Sequence, residues 1–312
     1  MYNMAVTIHD LARLSGYNAS TVSRALRGDN RVKEATRRQI LELARENGYS
    51  PNLPARQLAR GKTGNVWFCF GFAEAERERS LAVRLDELLY RHGYDLQIVL
   101  HNNSPERFRQ WLGKLHQKVA DAAVLIPPGN TEECRELIPL INALPVPHLS
   151  LDRFWPELTC PVITTDNYSA ARHLVDRCLE WGAREFYLEF GDVNPVLRAR
   201  ERAIRERLEE FGLPCRELCE LACLAPEGDP VGVLTNTAPV LPPLPPGRIV
   251  YGGFFDAWSG PGREPFRKII LCRQNFDRMA ERAMEILLSM LESPQKEVPA
   301  MVEIPAESFP EF

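Results

Sequence analysis

Apolar residues recur at helical spacing near the start of the chain, behind residues that favour helix caps. The first apolar face comprises Ile8, Leu11, Ala12 and Leu14. Thr7 is the expected N-cap, and Asp10 three residues later completes a capping box. The pattern predicts an amphipathic helix that ends before Gly16, which supplies a tight turn.

Two further helices are predicted within the first fifty residues. Asn18 is the expected cap of the second helix. Its outward face is expected to carry Thr21, Ser23 and Arg24, and its inward face Val22, Ala25 and Leu26. A third helix is predicted over residues 34–47, facing the first two through Ile40, Leu41 and Ala44 and ending at Gly48. A short second helix with small polar residues at its start suits a DNA major groove.

Beyond residue 63 the pattern changes to apolar runs that alternate with amphipathic stretches. The runs expected to be strands are 66–72, 96–100, 122–126, 146–151, 162–164, 185–190, 231–235, 249–254 and 301–304. The stretches expected to be helices are 81–90, 108–115, 168–181, 196–211 and 277–291. This alternation predicts parallel sheets with crossover helices, in a stretch long enough for one two-lobed α/β unit.

Charge divides the chain at the same place. Residues 1–63 hold eleven Lys and Arg against five Asp and Glu, a net charge of +6, whereas the whole chain is at −4. The remaining residues therefore carry −10, so that a basic head precedes an acidic body. Attraction to phosphate is expected at the head.

These motifs resemble the DNA-binding head of the LacI/GalR repressor family. The resemblance rests on residues 7–26, which follow the family pattern T-hydrophobic-x-D-hydrophobic-A-x-x-A-G-V-S-x-x-T-V-S-R. Residues 49–52 and 55–58 match the family's hinge. The match covers nearly the whole chain, with its most specific motifs in the head. Tyr17 departs from the turn valine, Asn18 from the usual serine, and Lys33 from the Ser or Thr cap of the third helix.

The resemblance implies a set of DNA-contacting residues. Base-reading positions correspond to Ala19, Ser20 and Arg24, and phosphate-contact positions to Thr7, Asn18, Thr21 and Ser23. In the hinge, Asn52, Ala55 and Leu58 are implied, with Leu58 wedged into a minor-groove step. Two such heads imply a homodimer on a palindromic operator of double-stranded DNA. A nine-residue hinge helix is too short to be stable alone, so we expect it to fold only on DNA.

The resemblance also implies the architecture of the whole chain. We expect an N-terminal all-α helix-turn-helix head with a hinge helix, then a two-lobed periplasmic-binding-protein-like body of parallel α/β sheets. The head is placed at residues 1–50, the hinge helix and linker at 51–63, and the body at 64–312. The expected lobes are about 64–163 and about 164–292, with a closing crossover at about 293–312.

An effector site in the cleft between the lobes is a further implication. The matching positions are Asp152, Arg153, Arg200 and Asp256, and His101 stands at a strand end where the family has a small hydroxyl residue. Aspartates accept from sugar hydroxyls, and arginines grip carboxylate or phosphate. Acidic residues in the loop 71–76 oppose phosphate binding. Two alternatives therefore stay open: a small sugar or sugar-phosphate-like effector, or a degenerate pocket without effector control.

A proline-rich segment is the strongest departure from the family pattern. Seven prolines lie between Pro226 and Pro246, and proline excludes an ordinary helix. The family has a crossover helix here that borders the dimer face. We expect an extended link in its place, a shortened second lobe and an altered dimer contact.

Other classes of function find little support. No Gly-rich dinucleotide motif follows the first strand, and no catalytic constellation can be assembled, so an enzyme is not predicted. No cofactor, metal site or membrane association is expected, and the chain is assigned to the cytoplasm. Cys215, Cys219 and Cys223 are expected to be small buried residues. The prediction is a transcriptional regulator that acts as a repressor. The main alternative is a DNA-binding regulator that is effector-independent or controlled by a protein partner.

Overall fold

The computed structural model describes residues 6–50, 61–72, 76–129, 132–190, 194–237, 239, 241–256, 265–293 and 295–311. The chain divides into two compact units, Met1–Thr63 and Gly64–Phe312, which we call the head and the body. Each unit is described by itself.

The head is a three-helix unit. Its helices are α1 (Ile8–Ser15), α2 (Ala19–Leu26) and α3 (Glu34–Glu46). The predicted capping box of α1 is confirmed, and Asn18 caps α2 as expected. The helices bury a small common core that comprises Leu11, Val22, Ala25, Val32, Ile40 and Ala44.

Two apolar residues expected in that core lie at its edge instead. Leu14 is 51% exposed and Leu41 is 46% exposed. At 100° per residue, Leu14 lies about 110° from the centre of the α1 apolar face, and Leu41 lies about 100° from Ile40. Leu43, about 60° from Ile40 on its other side, packs against the core in place of Leu41. The prediction for these two leucines was wrong because it took the apolar faces to be too wide.

The body contains two six-stranded sheets. The first has the order β11-β5-β4-β3-β1-β2, and all its pairs are parallel. Its strands are β1 (Asn65–Phe70), β2 (Asp95–Leu100), β3 (Ala122–Leu125), β4 (His148–Leu151), β5 (Val162–Thr165) and β11 (Met301–Ile304). The predicted parallel crossover architecture is confirmed for this lobe.

The second sheet has the order β12-β10-β9-β8-β6-β7. Its strands are β6 (Glu185–Glu189), β7 (Cys215–Glu217), β8 (Val231–Thr235), β9 (Val250–Phe255), β10 (Lys268–Arg273) and β12 (Glu307–Glu311). β12 pairs with β10 in the antiparallel sense, and the other pairs are parallel. The predicted parallel architecture is thus confirmed for this sheet as well, apart from the antiparallel edge strand β12, which was not predicted.

Helices cover the sheets. They are α4 (Glu76–Arg91), α5 (Pro105–His116), α6 (Glu132–Arg135), α7 (Ile138–Asn142), α8 (Asn167–Glu180), α9 (Pro195–Glu210) and α10 (Phe276–Glu292), with a 3₁₀ helix at Leu218–Cys223. Strand β1 shows the resulting two-sided burial. Val66, Phe68 and Phe70 pack with α4 and α10, whereas Trp67 and Cys69 pack with α5. Two covered faces explain why the central strands are continuous apolar runs.

The chain crosses between the lobes three times. It leaves the first sheet after β5 to enter α8, and it returns after β10 through Gln274 into α10. Helix α10 packs on the first sheet through Met279, Ala283 and Leu287. The expected lobe boundary near residue 292 therefore lies too late, because the return occurs before α10. The third crossing joins β11 to β12.

Short elements of the second lobe were not predicted. β7 has three residues, and the 3₁₀ helix follows it directly. Cys219 and Cys223 are exposed there and Cys215 is half-buried, so the prediction that they are buried was wrong. The 3₁₀ helix buries Leu218 and Leu221 against the sheet, which turns the neighbouring thiols outward.

The proline-rich segment runs without a helix through the described residues between β8 and β9, as predicted. Leu241 and Leu244 pack against the outer face of the second sheet, where a crossover helix would otherwise lie. Two leucines between prolines thus cover apolar surface that includes Val233 and Phe254. Among the described helices, none has the length and apolarity needed to span a bilayer.

Candidate DNA interface and ligand cleft

Helix α2 presents its polar residues around a side-chain cap. Asn18 Oδ1 accepts from the backbone N–H of Thr21 at 2.8 Å and from the Ser20 hydroxyl at 2.7 Å. Val22 and Ala25 are buried beneath them. The start of α2 is therefore fixed by a side-chain cap.

Arg24 is exposed and forms no ion pair with another described residue. Other head cations are held by carboxylates: Arg13 by Asp10 at 3.0 Å and Arg31 by Asp29 at 2.7 Å. Asp29 is held so tightly by Arg31 that its carboxyl pKa falls well below the ordinary value. Arg24 is consequently the cation on α2 that can extend toward an external group. Ala19, Thr21 and Ser23 are partly exposed on the same helix.

The residue at the start of α1 has a structural role of its own. The Thr7 hydroxyl donates to Asp10 Oδ2 at 2.7 Å, and these bonds lower the pKa of the Asp10 carboxyl. Tyr17, the departure in the turn, packs against the head core, and its hydroxyl lies 3.5 Å from that of Thr36. Lys33 begins α3 without a side-chain cap bond. The predicted hinge residues Asn52, Ala55 and Leu58 lie outside the described residues.

In the body, polar residues follow the carboxyl ends of parallel strands. Asp152 follows β4 and Asp256 follows β9, and both have left-handed backbones, with φ of 64° and 61°. Aspartate tolerates this conformation better than most residues. The Asp152 N–H donates to the Ile163 carbonyl at 2.7 Å, which fixes the aspartate at the edge of the first sheet.

Arg200 is the central buried cation of the second lobe, at 2% exposure. Its Nε donates to Asn167 Oδ1 at 2.7 Å, and its Nη1 donates to Asn236 Oδ1. The guanidinium carbon lies 3.7 Å from the centroid of the Phe255 ring, a cation–π contact. These contacts fix the guanidinium plane.

A chain of hydrogen bonds links Arg200 to the first lobe. Asn167 Nδ2 donates to the Thr164 hydroxyl at 3.3 Å, and that hydroxyl donates to the Asp152 carbonyl at 3.1 Å. A second chain runs from Thr165 through Gln274 to Asp256 Oδ2, at 3.0 and 3.2 Å. Both chains lie where the polypeptide crosses between lobes.

His101 is fully buried at the end of β2. Its Nε2 lies 2.9 Å from the Ile126 carbonyl, so that nitrogen carries the hydrogen and donates. Nδ1 has no partner among the described residues. The pKa of His101 is lowered to about 4, mainly by burial and to a smaller extent by the positive charges of Arg153 and Arg107. At neutral pH His101 is therefore an uncharged acceptor.

The five predicted cleft residues are arranged in two groups. Arg153 donates to Asn103 at 3.3 Å and lies close enough to His101 to affect its charge. Arg200 and Asp256 belong to the second lobe. Sequence reasoning missed the linking residues Asn167, Asn236 and Gln274. Asn236 directly follows β8, so its place at the carboxyl end of a parallel strand is a signal that could have found it.

Comparison with known proteins adds to this geometry. Residues 7–52 match the family model for bacterial regulatory proteins of the lacI family. The head is a lacI-family helix-turn-helix domain. Catabolite control protein A of Staphylococcus aureus (strain MRSA252) is 29% identical over 189 residues. That alignment covers 61% of this chain and 56% of the relative's length.

Solved structures of similar proteins share the fold of this chain. The lac repressor dimer bound to operator and the anti-inducer ONPF has a TM-score of 0.75 at 16% identity, and the match covers 98% of both chains. The Cra transcriptional dual regulator from Pseudomonas putida, in complex with fructose 1-phosphate, has a TM-score of 0.61 at 18% identity. That match covers 80% of this chain and 99% of Cra. The body thus has the two-lobed fold of these solved structures.

Proposed function

We propose that this chain is a sequence-specific DNA-binding transcriptional repressor that acts as a homodimer on a palindromic operator. Helix α2 reads the major groove with Ala19, Ser20 and Arg24. Phosphates are contacted by Thr7, Asn18, Thr21 and Ser23. The hinge residues Asn52, Ala55 and Leu58 enter the minor groove between the half-sites.

The lacI-family match over the head, joined to the geometry of α2, supports this proposal most directly. Arg24 is exposed, forms no ion pair with another described residue, and lies on a helix whose start is fixed by Asn18. A bidentate arginine contact to guanine is the commonest specific contact in the major groove. The basic head supplies the attraction to the phosphate backbone that brings the protein to DNA before the bases are recognised.

Selection from random duplex DNA by the purified chain tests the proposal. A palindromic consensus, bound by two chains per duplex in a size measurement, is the expected result. Binding should weaken steeply as salt concentration rises, because counterions are released from the phosphates. Recovery of unrelated sequences with equal affinity would refute sequence-specific reading.

We further propose that Asp152, Arg153, Arg200, Asp256 and His101 bind a small sugar or sugar-phosphate-like effector. Asp256 Oδ1 and His101 Nδ1 have no hydrogen-bond partner within the described parts of the chain and are acceptors suited to ligand hydroxyls. Closeness of the body to the fructose repressor Cra belongs to the same proposal. The Cra and lac repressor structures both match at under 20% identity, so they do not distinguish between the two. The proposed closeness to Cra therefore rests on the residues at the matching cleft positions.

A second candidate is a regulator without effector control. The bonds from Arg200 to Asn167 and Asn236 favour it, because protein groups already occupy donors that a ligand would need. A thermal-shift screen of the chain against sugars, sugar phosphates and nucleotides separates the two candidates. A shift that is lost in Arg200→Ala supports the effector site, and no shift from any compound supports the second candidate.

A further inference from the structure

We infer that a groove between the two lobes of the body binds a small, multiply charged oxyanion at a place separate from the Arg200 cluster. The groove has a volume of about 250 Å³. It is lined by Arg135, Trp155, Pro156, Pro195, Arg198, Ala199 and Arg202, a set we call the arginine groove. This inference does not depend on operator binding.

Both lobes contribute to the arginine groove. Arg135 ends α6, and Trp155 and Pro156 follow β4, so these residues belong to the first lobe. The residues Pro195–Arg202 form the first turns of α9 in the second lobe. A ligand held here therefore contacts parts of the chain that meet only across the interlobe boundary.

The groove lies on a different face of α9 from Arg200. Arg198 and Arg202 are four residues apart and share one face of the helix, whereas Arg200 is about 200° around the axis from Arg198. Arg198 and Arg202 are exposed, and Arg200 is 2% exposed. An anion in the groove and an effector at Arg200 would therefore be bound by different side chains.

The electrostatics of the groove favour an anion. Three arginines line it, and none of its described lining residues is acidic. Arg135 lies 3.8 Å from Glu157 and Arg202 lies 3.7 Å from Glu206, both beyond hydrogen-bond distance. On the same helix, Arg205 and Arg207 lie 2.7 Å from their carboxylate partners. Loose exposed ion pairs contribute little free energy, so exchanging them for a bound anion costs little.

The chemistry of the side chains identifies the class of ligand. Guanidinium groups pair with phosphate or carboxylate oxygens in bidentate fashion. The groove is smaller than most drug-sized pockets, so it suits a compact metabolite that carries two or more anionic groups. Because both lobes supply arginines, binding favours one relative orientation of the lobes, and the ligand acts as a modulator of the body.

Isothermal titration of the full chain without DNA, at constant ionic strength, tests the inference. Pyrophosphate and citrate serve as the phosphate and carboxylate probes. We expect at least one to bind, and the double variant Arg198→Gln/Arg202→Gln to weaken that binding by about tenfold or more. Whichever probe binds more tightly assigns the class.

A matched control makes the result decisive. The double variant Arg91→Gln/Arg109→Gln removes the same charge from exposed positions outside the groove and should retain binding. The inference is overturned if neither probe binds below ~10 mM, a very weak affinity. Equal losses in both double variants would overturn it too.

Discussion

Acidification should destabilise the body through His101. The side chain is fully buried, and its Nε2–H donates to the Ile126 carbonyl. Protonation would add a charge at Nδ1, which has no acceptor among the described residues and lies near Arg153. The folded body therefore resists protonation, whereas the unfolded chain takes up the proton near the ordinary histidine pKa.

The size of the effect follows from linkage. The pKa of His101 is lowered from 6.5 to about 4 in the folded state, mainly by burial. The unfolded state binds more protons between these values, so the destabilising effect is absent well above pH 6.5 and grows as pH falls toward 4. Integration from pH 7 to pH 5 gives a loss of about 2 kcal/mol in the free energy of unfolding.

Urea unfolding at pH 7, 6 and 5 measures this loss. All five tryptophans lie beyond residue 63, so tryptophan fluorescence reports unfolding of the body and not of the head. In His101→Gln the amide can still donate to Ile126 but cannot titrate, and about 2 kcal/mol of the pH dependence should disappear. His148, whose pKa burial also lowers, titrates in both proteins and cancels in the difference. The exposed His92→Gln is the matched control. Equal pH dependence in the parent and His101→Gln would refute the reasoning.

Three further substitutions test the proposals and the fold. Arg24→Ala should weaken operator binding by about 1–3 kcal/mol and relax specificity at one base position, and a titration series on single-base operator variants checks this; equal losses on all sequences would contradict it. Leu58→Ala should reduce operator bending, measured by gel mobility, more than it reduces non-specific binding; unchanged bending would exclude the wedge. Gly228→Ala should lower body stability by about 1–3 kcal/mol, because φ is +145° and a Cβ would lie 2.2 Å from Nη1 of the buried Arg248. Gly113→Ala is the control, because a Cβ there lies in open space within α5 and should not lower the stability of the body. Similar urea midpoints for the two glycine variants would contradict the predicted clash at Gly228.

The local elements could be predicted from the sequence because their determinants are local. Thr7 and Asp10 satisfy the first N–H groups of α1 by themselves, and Asn18 does the same for α2. Apolar runs predicted most strands of the body to within one or two residues, since the central strands are covered on both faces. The absence of a helix in the proline-rich segment could be predicted in the same way, because proline excludes an ordinary helix whatever the surroundings of the segment.

The connections between lobes were not predictable in the same way. Helix α10 has an amphipathic pattern that fits either sheet, and only the path through Gln274 places it on the first. Strand β12 is short and pairs antiparallel with β10, 34 or more residues earlier in the chain. No local pattern encodes such a pairing. The same holds for the contact between Asn167 and Arg200, which are 33 residues apart.

These long-range contacts bear directly on how an effector could act under the proposed function. Arg200 is joined through Asn167 and Thr164 to the backbone of Asp152, and Asp256 is joined through Gln274 to Thr165. Both chains of hydrogen bonds follow polypeptide that crosses between the lobes. A ligand that takes bonds from Arg200 or Asp256 must therefore release or redirect bonds that fix the crossings. The ligand can change the free energy of DNA binding by no more than the difference between its own binding free energies for the two lobe arrangements. The double substitution Asn167→Ala/Gln274→Ala retains the charged groups of Arg200 and Asp256 but removes the bonds that join them to the crossings. It should consequently weaken the coupling between effector and operator, measured as the change in operator affinity when effector is added.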